Sequence, residues 1–434
     1  IWHQEIEDIL VLKNNKGTED NRVRKLDYSI QVSKLFYERF IKDEDITLFS
    51  PHETPGLYEA FGMPEFDEMY EKYERKTSIS KQKVRAQTLF MDLLKERAET
   101  GRIYIMNIDH CNTHSSFKDK VYMSNLCQEI TLPTTPIKHI DDPDGEIALC
   151  ILSAINLGLI REKDELKDLC DLSVRALEEI IDYQEYPVEA AKKSTLARRS
   201  LGIGYIGLAH YLAKNKVKYD DKKAWKLVDE ITEAFQYYLL KASNTLAKER
   251  GACEYFNKTK YSDGILPIDS YKKDVDDIVK RKLSYDWTSL RNDIKSSGLR
   301  HSTLSAQMPS ESSSVVSNAT NGVEPPRDFL SIKKSKKGTL KQIVPDYNRL
   351  KNFYTLLWDM PSNEGYINVI SVMQKYFDQA ISGNWSYNPE NYKDGEVPVS
   401  TMANDLLTTY KLGWKTSYYQ NTYDAKSDVE EPSH

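Results

Sequence analysis

The stretch SNLCQEI, residues 124–130, sets Cys127 two residues after Asn125 and two before Glu129, in a segment where apolar and polar residues alternate. A thiol that only fills space needs neither an amide nor a carboxylate beside it, whereas a catalytic thiol can call on both. No second cysteine stands at C-x-x-C spacing and no histidine lies close in sequence. Cys150, in EIALCILS, falls in a strand-like run, where a free cysteine is ordinarily a small apolar filler. Taken singly, each of the two reads as structural.

Three further stretches carry residue types suited to chemistry. In MPSESSSVVSNATNG (308–322) a strand-like run ends at Met308, Pro309 turns the chain, and serines precede an apolar-periodic helix. Pro309, Ser310, Glu311, Ser312 and Ser313 thus stand where unpaired backbone N–H groups and hydroxyls converge, a natural phosphate cradle. An ordinary serine cap is the alternative. In SYYQN (417–421), Tyr418 and Tyr419 would point to opposite faces of a regular strand, which is how core aromatics are placed. A redox-active pair would instead need the phenols to meet, hence a local break from extended geometry. DHCNTH (109–114) holds Asp109, His110, Cys111 and His114, all possible zinc ligands. No second pair of ligands accompanies them, so a buried polar network at a strand end is expected and no metal is assigned. GIGYIG (202–207) matches G-x-G-x-x-G, but the preceding AAKKSTLARRS is basic and helical in character. Glycines that permit close helix packing are expected there, not a dinucleotide turn. KKSKK (333–337) reads as a solvated hairpin tip.

The elements that must position these residues belong to a chain of 434 residues, enough for roughly three average domains or one large α/β barrel. With 40% hydrophobic and 29% charged residues it can bury a core, and a net charge of −6 argues against broad electrostatic binding of nucleic acid. The chain opens at Ile1 with no charged-then-apolar leader. Its longest apolar run, residues 147–160, is too short to cross a bilayer. Five widely spaced cysteines do not make a secreted disulfide framework, so a reducing cytoplasm is expected.

Along the chain, ITLFS (46–50) predicts a short buried strand stopped by Pro51, and residues 66–99 predict one long charged helix ending at Gly101. RIYIMNI (102–108), EIALCILSAINLG and STLSAQM (302–308) predict strands. Residues 225–250 predict a helix stopped at Gly251, with Lys248 and Arg250 in its last turn. TMANDLLTTYKLG predicts a helix capped by Gly413, followed by strand-like WKTSYYQN. The alternation, without a Pro/Gly-rich linker, suggests one α/β domain with a largely parallel sheet over residues 1–420. The polar residues 421–434 predict a mobile tail.

Taken together and in order, NIDHCNTHSSF, SNLCQEI, GEIALC, GILPIDSYKKD (264–274), MPSESSS, NATNGVEPPR and YYQNT closely resemble the catalytic large subunit of aerobic class I ribonucleoside-diphosphate reductase, of bacterial and phage type. The resemblance runs from Ile1 to about Asp424. It implies the C-terminal portion of a ten-stranded α/β barrel with a central finger loop at about residues 120–132. It implies that Cys127 becomes a transient thiyl radical that removes the 3′ hydrogen of the ribose. Glu129 would take the 3′-hydroxyl proton, and Asn125 would orient the substrate. Cys150 would be one thiol of the pair oxidised as the 2′-hydroxyl leaves. Pro309 to Ser313 would hold the substrate diphosphate. Tyr418 and Tyr419 would relay the radical from a small subunit's metal-tyrosyl site, with no cofactor bound by this chain itself.

The second reducing cysteine, the effector-binding segments and a tail cysteine pair have no counterpart in this sequence. The resemblance therefore implies a barrel that needs an N-terminal large-subunit polypeptide, besides the small subunit, a ribonucleoside diphosphate and an external dithiol such as thioredoxin or glutaredoxin. No nucleic acid or membrane is expected as a partner. A non-catalytic assembly or regulatory module that keeps the fold is the alternative reading. A nicotinamide-dependent dehydrogenase would require a strand before Gly202.

Overall fold

The computed structural model describes residues 1–14, 16, 22–335 and 338–424, with the side chains of 333–335 left aside. Its central strand is Ile103–Asn107, every residue of it buried. That strand pairs in parallel with Tyr28–Val32 and antiparallel with Thr416–Ser417. Burial on both faces is why Ile103–Met106 run apolar without alternation.

From there a curved wall continues segment by segment. Tyr418 N–H donates to the Gly383 carbonyl at 2.8 Å, and Thr416 Oγ1 donates to the Ile381 carbonyl at 3.1 Å. Ile381 bridges in parallel to Gln307, and Ser305 bridges in parallel to Ile203. Leu201–Ile206 then pairs in parallel with Ile151–Asn156. Among the described residues the wall does not close. Neither Ile151–Asn156 nor Tyr28–Val32 has a strand on its outer edge, and Leu149, Leu152 and Leu159 stand exposed along the first of these. Helices cover the outside. The 29-residue helix Lys222–Arg250 packs on Glu165–Tyr183 and Glu364–Gln374. Asp221 caps it by accepting the Lys223 N–H, and it stops at Gly251 with Lys248 and Arg250 in its last turn. No helix among the described residues is long and apolar enough to cross a membrane.

Several expectations need correction. Residues 66–99 are not one helix: Phe66–Arg75 ends at Lys76, and Lys81–Arg85 is a strand antiparallel to Asp45–Phe49 before the helix Ala86–Thr100 begins. The intervening Thr77-Ser78-Ile79-Ser80 are weak helix formers, and the free edge of Asp45–Phe49 offers a ladder that helical periodicity does not reveal. Gly101 does stop the second helix, at φ +68°. Residues 302–308 run extended but pair only through isolated bridges. The GIGYIG stretch is itself the strand Leu201–Ile206, entirely buried, and the helix Glu189–Arg198 precedes it. That order excludes the dinucleotide turn and replaces helix packing with strand packing as the reason for the glycines. The hairpin expected around KKSKK pairs Leu330–Ser335 with Gly338–Ile343; its tip, 336 and 337, lies outside the described residues. Of the expected tail, Asn421 and Thr422 pair with Ser386 and Tyr387, while 425–434 lie outside the described residues.

A Cβ on Gly202 would sit 2.6 Å from Leu152 Cδ2 and 2.7 Å from Cys150 Sγ, and one on Gly204 would sit 2.7 Å from the Ala306 carbonyl oxygen. The strand must be bare here so that its neighbours can approach. Gly202→Ala should therefore lower stability by about 1–3 kcal/mol, as overpacking of a filled interior does. Chemical denaturation would show it, and an unchanged midpoint would contradict this packing.

Candidate active site

The loop that carries Cys127 is closed on itself. Asn125 N–H donates to the Ile130 carbonyl at 3.3 Å, and Ile130 N–H donates back to Asn125 Oδ1 at 3.0 Å. Between them the chain turns through Gln128 at φ +72°, a left-handed conformation that costs a non-glycine residue roughly 1–2 kcal/mol. Gln128 offsets this by donating its N–H (3.2 Å) and its Nε2 (3.1 Å) to the Asn125 carbonyl. At the loop's base, the buried Asn112 amide accepts from Val121 N–H at 2.8 Å and donates to the Val121 carbonyl at 3.0 Å.

The loop is fastened to the wall at residues 379–382. Ala380 N–H donates to the Glu129 carbonyl at 3.0 Å, and Thr131 N–H donates to Gln379 Oε1 at 3.2 Å. The Ser382 hydroxyl lies against the Cys127 carbonyl and 3.2 Å from a Glu129 carboxylate oxygen. Gln379 Nε2 donates to the Leu201 carbonyl at 3.0 Å and reaches Cys150 Sγ at 3.5 Å. One glutamine thus ties the Cys127 loop to the strand that flanks the second thiol. Residues 377–379 are themselves held by Lys415, whose buried ammonium donates to the Asp378 and Gln379 carbonyls at 2.8 Å.

Tyr418 reaches the same loop from the other side, donating its hydroxyl to Cys127 Sγ at 3.6 Å. Its ring lies 4.2 Å from that of Tyr419, centroid to centroid, at 57°. Regular pairing stops at Ser417 and resumes at Gln420, so the two tyrosines occupy a break in the extended chain and their rings meet. Tyr104, from the central strand, completes a three-ring cluster at 4.7 Å from Tyr418 and 5.5 Å from Tyr419.

The structure brings together Asn125, Cys127, Glu129, Cys150, Tyr418 and Tyr419. Pro309 to Ser313 follow directly on the segment that pairs with Ile381, and Pro309, Glu311, Ser312 and Ser313 are exposed. The helix they open, Glu311–Val316, is short. Ser310 and Ser313 spend their hydroxyls on the Met308 and Ser310 carbonyls, not on capping N–H groups. His110, Asn112 and His114 form a buried polar cluster after the central strand. His110 Nε2 meets the Tyr410 carbonyl at 2.8 Å, and His114 meets Ser270 Oγ at 2.9 Å and the Gln374 carbonyl at 2.7 Å. Gln379, Ser382 and Tyr104 escaped the sequence reading. Tyr104 sits in a run whose plain meaning is core strand, and DQAISG around Gln379 has no distinguishing spacing.

Burial sets the protonation of the site. It pushes the Cys127 thiol up, with a smaller contribution from the Glu129 charge, against the Tyr418 hydrogen bond. It pushes Cys150 from 9.0 up to about 12. It also raises Glu129, while the Asn125 amide and the Ser382 hydroxyl work the other way. Tyr418 is raised well above the ordinary phenol value, again chiefly by burial. No lysine, arginine or histidine hydrogen-bonds either thiol among the described residues. A nucleophilic cysteine needs a depressed pKa; these two are held as neutral S–H groups, suited to giving and taking hydrogen atoms. At pH 8 the thiolate fraction of Cys150 is about a thousandth of that of an ordinary thiol, so its alkylation by iodoacetamide should be slower by about that factor. The rate should climb tenfold per pH unit toward 12. Peptide mass spectrometry of the alkylated chain measures this, and a rate equal to that of free cysteine would contradict the neutral-thiol site.

Residues 1–420 match the family model described as "Ribonucleotide reductase, barrel domain". The chain is 59% identical to the ribonucleoside-diphosphate reductase subunit alpha of Haemophilus influenzae, over 99% of this chain and 58% of that protein. It is 56% identical to the ribonucleoside-diphosphate reductase 1 subunit alpha of Escherichia coli, over 99% of this chain and 57% of that protein. It is 44% identical to the corresponding alpha subunit of Enterobacteria phage T4, over 98% and 57%. The chain thus spans less than two thirds of the length of these curated relatives. A match over nearly its whole length, at this identity, makes the chain a member of the ribonucleotide reductase barrel-domain family.

Proposed function

We propose that this chain carries the radical site of a ribonucleoside-diphosphate reductase alpha subunit and acts in the reduction of ribonucleoside diphosphates to deoxyribonucleoside diphosphates. The observation that carries the reading is the Tyr418 hydroxyl on Cys127 Sγ, at 3.6 Å, with the Tyr419 ring packed behind it at 4.2 Å. A phenol in contact with a neutral thiol is the arrangement needed to move a hydrogen atom from sulfur to a tyrosyl radical.

On this reading Tyr419 and Tyr418 relay the radical that a small subunit generates at its metal-tyrosyl site, and Cys127 loses its S–H hydrogen to become a thiyl radical. The thiyl takes the 3′ hydrogen of the ribose, which restores the S–H and leaves a carbon radical. Glu129, kept partly protonation-prone by burial, takes the 3′-hydroxyl proton as the carbon radical acquires ketyl character. Asn125 orients the substrate. The 2′-hydroxyl leaves as water, with Cys150 and a second thiol supplying two hydrogens and being oxidised to a disulfide; Cys127 then returns its S–H hydrogen to C3′ and Glu129 its proton to the 3′ oxygen, which regenerates the thiyl. An external dithiol, thioredoxin or glutaredoxin, reverses that oxidation. Pro309 to Ser313, exposed except at Ser310 and continuing from the wall segment beside the finger loop, hold the diphosphate. This chain binds no cofactor of its own in this scheme, and the reaction is placed in the cytoplasm.

Residues 1–420 form the C-terminal part of a ten-stranded barrel, with the finger loop at about 120–132, and an N-terminal polypeptide supplies the remaining strands and the second reducing thiol. The bare outer edge of Ile151–Asn156, next to Cys150 and lined by Leu149, Leu152 and Leu159, supports this.

Cys127→Ser should reduce turnover of the assembled reductase to background while circular dichroism and diphosphate affinity stay little changed, since a hydroxyl of nearly the same size does not form the corresponding radical. Turnover above background in that variant would sink the radical assignment. The chain on its own should bind hydrophobic dyes at the open edge, lose that binding when the N-terminal polypeptide is added, and reduce no diphosphate without it. Full activity with only small subunit, reductant and effector would show that the barrel needs no further strands.

A further inference from the structure

Neither Tyr418 nor Tyr419 belongs to a strand ladder, so something other than a ladder must fix their main chain. Three contacts with residues 383–385 do so. Tyr418 N–H donates to the Gly383 carbonyl at 2.8 Å, and Trp385 N–H donates to the Tyr419 carbonyl at 2.8 Å. The third comes from a side chain: Tyr419 N–H donates to Asn384 Oδ1 at 3.1 Å.

The other end of that amide is also engaged. Asn384 Nδ2 donates to Glu324 Oε1 at 2.5 Å, and the Asn384 N–H reaches the Tyr366 hydroxyl at 3.3 Å. An amide flip would turn the Asn384 oxygen onto a carboxyl oxygen and its NH2 onto an N–H, so Glu324 dictates which way the amide faces. Glu324 lies in the NATNGVEPPR stretch.

We propose that Asn384, oriented by Glu324, is a positioning residue that fixes the main chain of Tyr419 and through it the ring contact between Tyr419 and Tyr418. The inference rests on the reading of these two tyrosines as a radical relay. Transfer between redox groups depends steeply on their spacing, and a misplacement of about 1 Å in a reacting pair can cost about a hundredfold in rate. The Tyr419 N–H, held by a side-chain amide and not by a backbone carbonyl, is where such a shift would start.

The test uses the assembled reductase, with this chain in its complete subunit, and the variants Asn384→Leu, Glu324→Leu, Glu324→Gln and Tyr419→Phe. A second preparation carries 3-fluorotyrosine at position 419, read by fluorine NMR without turnover. Asn384→Leu and Glu324→Leu should each lower kcat by about ten- to a hundredfold with the KM for diphosphate unchanged, and should shift or broaden the fluorine line. Glu324→Gln keeps an acceptor for the Asn384 amide and should preserve both the line and most of kcat, the rescue that a merely structural defect would not show. An unmoved fluorine line in Asn384→Leu, or a rise in KM that matches the loss of turnover, would overturn the proposal. Wild-type turnover in Tyr419→Phe would instead sink the relay reading, whatever the fluorine line shows.

Discussion

The site depends on one attachment, the hydrogen bonds that fasten the loop carrying Cys127 to residues 379–382. Residues 114–150 form no strand or helix, so nothing in a regular ladder holds Cys127 in place. Ala380 N–H on the Glu129 carbonyl, Gln379 Oε1 on Thr131 N–H and the Ser382 hydroxyl against Cys127 and Glu129 supply that hold. Gln307 pairs with the same residues, so the diphosphate-loop candidate departs from the segment beside the one that anchors the thiol loop. The next segment, Gly383–Trp385, clips the two tyrosines. One run of seven residues, 379–385, therefore sets the mutual positions of thiol, carboxyl, second thiol and phenols.

Electrostatics then select the chemistry this geometry suits. Had a histidine or lysine stood beside Cys127, its thiol would ionise and the site would suit nucleophilic attack. Burial without a cation does the opposite, raising both thiols and the Tyr418 phenol. A neutral thiol and a neutral phenol in contact at 3.6 Å are placed to exchange a hydrogen atom without separating charge in a medium of low dielectric. The raised Glu129 fits the same logic, since a carboxyl that is less content to be ionised can both accept and return a proton.

How much of this the sequence carried varies by residue. The neighbours of Cys127 were legible because Asn125 and Glu129 are local, and the tyrosine pair was legible as a choice between core filling and a redox contact. The ordered motifs, more than any pattern, named the family. What stayed hidden was non-local. The ladder between Asp45–Phe49 and Lys81–Arg85 broke what periodicity read as one helix. The glycines of GIGYIG face Cys150, Leu152 and Ala306, contacts that G-x-G-x-x-G spacing does not encode. Gln379 and Asn384 act by reaching residues far along the chain, Thr131 and Glu324 among them, and neither stands in a stretch with any pattern of its own.

The most direct test of the site's central feature, a neutral Cys127 thiol bonded to the Tyr418 hydroxyl, is infrared difference spectroscopy of the S–H stretch. The Cys127→Ser difference spectrum assigns the band. At pH 8 the band should be present, and Tyr418→Phe should shift it by removing the hydrogen bond from the phenol. Absence of an S–H band for Cys127 at that pH would mean a thiolate, and a band insensitive to Tyr418→Phe would mean that the two groups do not touch; either result would contradict the site as described.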